Sequence, residues 1–467
     1  MSKNRNITLI KNTFILGIGQ LIPKFMALIT LPILTKHLSV NEYGIYDMIL
    51  SVGSLAIPLM TLLIQQAAFR FIIDSNNDKA EIVTSTFGVF GILAVAWGII
   101  IGGASFFGIY DKVFLLIMWI LYLFESLYDI FGQIVRGLGK NFLFSCGVII
   151  YSNANLFFVL FLLRRNDINI YSIILSSLMA YILAFLFIGV KGRVYDYIKI
   201  GKFSLTQVKR MLHYAIPIIP SSISLWVVNL SDRLLIISFL GASMNGVYAA
   251  ANKIPNLCGI VYSVFNLAWT EMAARTVNDK DRDLYYTELY NSLFSFMTGC
   301  FMILIVVSPL VFNVLIDDKF SLGLQQMPIL FAGIFFSSLV SFYGGIYVAL
   351  KKTKQVGLSS VIGAILNLLI NIFFIRKLGL FAASVSTVVS YYLIYVYRKI
   401  DVRKYIFIKL NRVLGLSGYL SLVIICVLYY INLNAMFVVG SVLAIVFNWR
   451  FNMPIFRKIS NKIFQQS

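Results

Sequence analysis

The chain has 467 residues, of which 60% are hydrophobic and only 12% charged, and its mean hydropathy is +0.87. A soluble protein of this length does not carry so little charge, so the composition describes an integral membrane protein. About fourteen spanning helices with their connections use up the whole length, which excludes a sizeable soluble catalytic domain.

Apolar stretches long enough to span a bilayer recur at 13–35, 44–68, 82–106, 113–135, 142–163, 170–190, 213–239, 246–272, 288–312, 326–350, 356–375, 380–397, 413–431 and 435–449. The sequence therefore predicts an all-α polytopic membrane protein of about fourteen transmembrane helices. The first stretch carries Lys24 and outlasts a signal-peptide core, so it reads as a retained helix. With the N-terminus inside, 29 of the 39 lysines and arginines fall in cytoplasmic segments and 7 in external loops. That bias predicts both termini in the cytoplasm. It also explains the formal net charge of +20 without a nucleic-acid partner. Two connections are richest: Lys191, Arg193, Lys199, Lys202, Lys209 and Arg210 in one, and Arg398, Lys399, Arg403, Lys404, Lys409 and Arg412 in the other.

The longest connection, 191–212, leaves six helices before it and eight after it. Leu38-x5-Gly44-Ile45-Tyr46 follows helix one, and Leu240-x5-Gly246-Val247-Tyr248 follows helix seven at the same spacing. A glycine at a tight external turn and an interfacial tyrosine suit both hairpins. The expected organisation is a first six-helix lobe in 1–200, a second in 201–405, and helices thirteen and fourteen with a cytoplasmic tail in 406–467. Two six-helix repeats of the same orientation imply lobes about a central cavity, related by an axis along the membrane normal. Prolines in helices one, seven and eight (Pro23, Pro32, Pro217, Pro220 and Pro255) supply the expected bending points.

A charge inside the bilayer costs at least about 2.5 kcal/mol, so ionisable residues within the helices are candidates for function. Lys24 falls near the middle of helix one and Lys253 in the outer part of helix eight. In helix four, Tyr122, Glu125, Asp129, Gln133 and Arg136 follow one another at helical spacing and share a face. Helix eight carries a second polar stripe through Asn252, Asn256, Gly259, Ser263, Asn266 and Thr270. Such side chains either line water or hydrogen-bond to neighbouring helices, because lipid satisfies neither. Stripes in both lobes favour an aqueous cavity in which Lys24, Lys253, Glu125, Asp129, Arg136, Asn252 and Asn256 meet the substrate. Asp232 at the end of helix seven, with Asn367 and Asn371 one turn apart in helix eleven, forms a second set of hard oxygen ligands suited to a monovalent cation. A salt bridge between Asp232 and Arg233 is the structural alternative. The four cysteines lie inside apolar runs and only two histidines occur, which predicts neither a disulfide framework nor a metal centre. Arg136-Gly137-Leu138-Gly139-Lys140 lacks the length and hydroxyl of a phosphate loop.

Leu31-Pro32-Ile33-Leu34-Thr35-Lys36-His37-Leu38 running into Glu42-Tyr43-Gly44-Ile45-Tyr46, and Tyr214-Ala215-Ile216-Pro217-Ile218-Ile219-Pro220 running into Ser231-Asp232-Arg233 and Gly246-Val247-Tyr248, resemble a known family. It is that of the polysaccharide repeat-unit flippases of bacterial surface-glycan pathways. Their superfamily also holds lipid-linked peptidoglycan-precursor flippases and multidrug and toxin extrusion transporters. The resemblance covers nearly the whole chain. It implies two six-helix lobes around a cationic cavity, and a multi-pass protein of the bacterial cytoplasmic membrane. Its implied task is to pass an undecaprenyl-diphosphate-linked oligosaccharide to the outer leaflet for a surface polysaccharide such as O-antigen or capsule. Lys24 and Lys253 match basic positions of the family, where some relatives carry arginine. Asp232 looks like the helix-seven carboxylate of cation-coupled members, and Asn371 stands where some relatives have a second carboxylate. The implied partners are the lipid-linked oligosaccharide, membrane lipid, and the polymerase and chain-length proteins of the pathway, with the flippase itself a monomer. No cofactor is expected beyond a coupling cation, sodium or proton. Two rival functions are a cation-coupled multidrug exporter of the same fold, which the basic cavity disfavours, and a membrane glycan polymerase or ligase, which the short external connections disfavour.

Overall fold

The computed structural model describes residues 21–74, 78–106, 112–165 and 169–454. Among these there is no β-strand, and sixteen α-helices follow in chain order: α1 (21–37), α2 (Val40–Thr61), α3 (Ile64–Ile73), α4 (Lys79–Phe106), α5 (Lys112–Gly137), α6 (Asn141–Arg164), α7 (Ile170–Gly192), α8 (Leu205–Ala215), α9 (Ile219–Leu240), α10 (Ala242–Thr276), α11 (Arg282–Leu315), α12 (Met327–Ala349), α13 (Thr353–Leu378), α14 (Leu380–Val402), α15 (Arg412–Ile431) and α16 (Leu433–Phe447). Eleven of the helical segments are long and apolar enough to cross a membrane by length and composition. The start of the expected first helix and the C-terminal tail lie outside the described residues.

Local chemistry sets the helix starts. Ser39 accepts from the Glu42 amide at 3.2 Å while the Glu42 carboxylate accepts from the Ser39 amide at 2.9 Å, so α2 opens on a reciprocal cap. Asn169 and Ser172 do the same for α7, and Asn411 and Asn432 cap α15 and α16. The turn into α10 is made by Gly241 at φ 90°, a conformation that carries no penalty only in glycine. Gly44 and Gly246, expected at the turns, lie instead inside α2 and α10, because the caps are Ser39 and Gly241. Each glycine falls at the same position relative to its helix start, so the two segments share one local register.

Several expectations about helix continuity are corrected. The stretch 44–68 is not one helix: it breaks between α2 and α3 at Leu62 and Leu63, whose φ values are 48° and 54°. Two adjacent left-handed leucines cost about 1–2 kcal/mol each. The break is held by burial of Leu63 and Ile64 in the core of the first unit and by the Thr61 hydroxyl, which accepts from the Leu63 amide at 3.2 Å. By contrast, Pro23 and Pro32 sit within the helical run 21–37 and Pro255 within the unbroken α10, while Pro217 precedes α9 in a short 3-10 turn. The connection 191–212 contains α8, which buries Val208, Met211 and Ala215 against α3 and α4.

The chain divides into two compact units, Met1–Leu230 and Ser231–Ser467. In the first, Ile64, Ala67, Ile82, Ile130, Ile134 and Ile188 form the centre of the packing, and Gly147 lets α6 close on Ile188 of α7. In the second, Trp269 of α10 lies parallel to Phe342 of α12 with ring centroids 4.4 Å apart and donates to the Phe342 carbonyl at 2.9 Å. α15 and α16 pack on α11, where the Asn452 amide donates to the Ser295 carbonyl at 3.1 Å.

Arg398 and Lys399, counted above as loop charges, belong to α14. Arg398 is 3% exposed, and its guanidinium spans three helices. It donates to the Val340 carbonyl of α12 at 2.9 Å, and in α13 to the Ser359 hydroxyl at 3.0 Å, the Ser360 hydroxyl at 3.1 Å and the Val356 carbonyl at 3.2 Å. Gly344 clears its path, since a Cβ there would stand 3.0 Å from Nη1. Removing the guanidinium takes one buried charge-assisted partner from each of these acceptors and leaves a void between the three helices. Arg398→Ala is therefore expected to destabilise the protein by about 3–5 kcal/mol, read as a large fall in the thermal midpoint in detergent, with Lys399→Ala as the mild control.

Candidate functional site

The helix-four stripe is a bonded network in the first unit. Asp129 of α5 accepts from the Gln65 amide of α3 at 3.0 Å and from Gln133 one turn along at 3.4 Å. Arg136 donates to Gln133 Oε1 at 3.0 Å and lies over the rings of Phe69 and Phe144, 4.8 and 5.1 Å from their centroids. Gln65 is 2% exposed, and among the described residues neither its Oε1 nor the Arg136 Nε has a partner. A turn toward the other end, Glu125 pairs with the Tyr181 hydroxyl, and the Tyr181 ring stacks on Tyr151 at 4.2 Å. Tyr122 donates to the Ile49 carbonyl at 2.8 Å. The spacing rule that placed these residues on one face thus describes a line of polar contacts, and Gln65 is the member that sequence reasoning missed. Lys24 stands apart from this network as an exposed side chain of α1.

In the second unit the carboxylate and the two amides expected to be neighbours do meet. Asp232 of α9 is 6% exposed, and Asn371 of α13 donates to its Oδ1 at 2.6 Å. Only one orientation of the Asn367 amide suits its surroundings: Nδ2 donates to Asp232 Oδ1 at 3.0 Å while its oxygen accepts from the Thr387 amide at 3.3 Å. Thr387 of α14 donates to Oδ2 at 3.0 Å, and the Tyr248 hydroxyl of α10 stands 3.4 Å from the same oxygen. Four helices therefore converge on one carboxylate. Asn371 is fully buried, and among the described residues its Oδ1 has no partner. Sequence reasoning missed Thr387, which no spacing on α14 links to α9, and read Tyr248 only as an interfacial residue.

Asn252 of α10 donates to the Tyr248 carbonyl of its own helix at 3.1 Å, Lys253 is half-buried, and Asn256 is exposed. Asn266 Oδ1 and the Tyr262 hydroxyl, one turn apart and both inaccessible, have no partner among the described residues.

A family model described as "Polysaccharide biosynthesis protein" matches residues 9–270, more than half of the chain. The chain belongs to this family. This polysaccharide biosynthesis protein is similar in fold to a solved structure of the lipid II flippase MurJ in an inward closed conformation, with a TM-score of 0.71 at 17% identity over 95% of this chain and 98% of that one. It is also similar to an inward-facing multidrug resistance MATE family transporter of the MOP superfamily, with a TM-score of 0.63 at 14% identity over 83% of this chain and 94% of that one. A MOP superfamily transporter from Pyrococcus furiosus Vc1 (DSM3638) matches with a TM-score of 0.53 at 14% identity over 83% of this chain and 95% of that one. No curated protein sequence matches the chain. The family member thus has the MurJ- and MATE-like polytopic helical fold.

Proposed function

We propose that this protein is a flippase that carries an undecaprenyl-diphosphate-linked oligosaccharide repeat unit from the cytoplasmic to the outer leaflet of the bacterial cytoplasmic membrane by alternating access. The observation that carries the reading is membership of a polysaccharide biosynthesis family by a chain whose fold is that of membrane transporters. The chemistry agrees with it. An anionic diphosphate and its hydrated sugars need basic and polar groups inside the membrane, and Lys24 and Lys253 supply basic ones on helices of the two units. Glu125, Asp129, Arg136, Asn252 and Asn256 are proposed to serve the sugars, whose hydroxyls both donate and accept. In this reading both termini are cytoplasmic, and the polymerase and chain-length proteins of the pathway receive the product.

Asp232, Asn367, Asn371 and Thr387 are proposed to hold a coupling cation. The residue types suit a monovalent ion, with one carboxylate and amide and hydroxyl oxygens. Asn367, Asn371 and Thr387 donate to Asp232 as they stand, so binding would turn these donors and bring their oxygens, the Asn371 Oδ1 among them, to the ion. A bound cation would supply charge compensation for the buried carboxylate, and only a difference in its affinity between two conformations lets it bias transport. A cation-coupled drug exporter would use the same site but has less use for Lys24 and Lys253. Purified protein in liposomes distinguishes the readings: lipid-linked sugar is transferred between leaflets, whereas cationic dyes are not moved. Dye export without lipid-linked sugar transfer overturns the flippase assignment.

A further inference from the structure

The segment between α7 and α9 carries a surface that the transport reading does not use. α4 has 28 residues, so it is about 42 Å long, some 12 Å more than the hydrocarbon core. Five of its first eight residues, Lys79 to Thr86, are polar or charged, against Ser105 alone in the other twenty, so the surplus length belongs to this end, at headgroup depth. The segment 197–204 is pinned to that end. Thr84 donates to the Tyr197 carbonyl at 3.2 Å and accepts from the Lys199 amide at 2.9 Å, and the Ser204 amide donates to the Ser85 hydroxyl at 3.3 Å. The Phe203 ring lies on Gly88, where a Cβ would come within 2.6 Å of it. Lys202 pairs with Asp78, and its amine holds that carboxyl below the usual carboxylate range.

What this scaffold presents is both apolar and basic. Ile200 is 92% exposed and Leu205 68% exposed, outside any spanning helix. Lys199 and Lys209 flank them, and among the described residues neither side chain has a carboxylate partner. Leu205 and Lys209, one turn apart, share an exposed face of α8. Apolar side chains held at headgroup depth between unpaired lysines complement an acyl-chain boundary beneath anionic headgroups.

We infer that the segment from Lys199 to Lys209 is a binding surface for anionic phospholipid of the surrounding bilayer, with Ile200 and Leu205 entering the acyl boundary and Lys199 and Lys209 holding the headgroup phosphates. The test uses the full chain, with the four cysteines replaced by alanine and a fluorophore on Ile200→Cys or, separately, on Leu205→Cys, in phosphatidylcholine nanodiscs. A fixed fraction of lipid carries a spin label, on either phosphatidylglycerol or phosphatidylcholine. The anionic spin-labelled lipid should quench at least about twofold more than the neutral one. The excess should vanish in Lys199→Gln/Lys209→Gln and at high salt. Equal quenching by the two lipids overturns the anionic preference, and no quenching by either places the segment in water. If a short-chain prenyl diphosphate displaces the quencher, the surface belongs to substrate entry and the inference fails.

Discussion

Lys24→Ala and Lys253→Ala each reduce export of surface glycan by about 10–100-fold while the protein still accumulates in the membrane, and the double variant abolishes it. The expected size follows from the chemistry: a charge-assisted hydrogen bond from an ammonium to a phosphate is worth about 1.5–3 kcal/mol, and ~1.4 kcal/mol is a factor of ten. The two lysines differ in setting, since Lys24 is exposed on α1 and Lys253 is half-buried on α10. Lys253→Ala therefore also carries a packing cost, and its thermal midpoint must be measured beside its transport. Lys24→Arg and Lys253→Arg keep the charge and retain export, which separates charge from side-chain shape. Normal surface glycan in both alanine variants would reduce these lysines to structural roles.

Asp232→Asn uncouples transport from the cation gradient. In liposomes the wild type is expected to transfer lipid-linked sugar about 5–150-fold faster with a sodium or proton gradient than without, the usual range of coupling between two sites. The asparagine variant should run at the ungradiented rate in both conditions. Asp232 accepts from two asparagines, a threonine and Tyr248, so Asp232→Ala removes the acceptor of four buried donors and is expected to cost about 3–5 kcal/mol of stability. Asn keeps the shape and one acceptor oxygen, which makes it the functional probe and alanine the stability probe. Gradient-independent transfer by the wild type, together with normal transfer by Asp232→Asn, would make the four-helix junction structural.

Much of this architecture was legible because membrane helices announce themselves by length and hydropathy. The i, i+4 pair Asn367 and Asn371 is readable as one face, and so is the α5 stripe. What the stripe touches was not readable: Gln65 reaches Asp129 only because the chain turns at Leu62 and Leu63, and nothing in Met60-Thr61-Leu62-Leu63-Ile64 marks a turn. Tertiary burial overrides helix propensity there. The prolines, by contrast, mark no break in helical assignment, which runs on through Pro23, Pro32 and Pro255. Thr387 joins Asp232 across 155 positions of sequence, a separation beyond any local rule. Arg398 was hidden by its neighbours: in Tyr397-Arg398-Lys399 followed by Arg403-Lys404, a buried arginine looks like the start of a basic loop.

The placing of Arg398 also bears on how the protein is made. Each group its guanidinium contacts, Val340, Val356, Ser359 and Ser360, precedes it in the chain. When α14 leaves the ribosome, α12 and α13 have already been synthesised, so the buried arginine enters lipid with its acceptors waiting. Vectorial synthesis thus spares Arg398 a stage in which it would face the bilayer alone. Moving the same arginine ahead of its partners, by circular permutation or by expressing α14 first, removes that order and leaves an insertion intermediate for quality-control proteases to find.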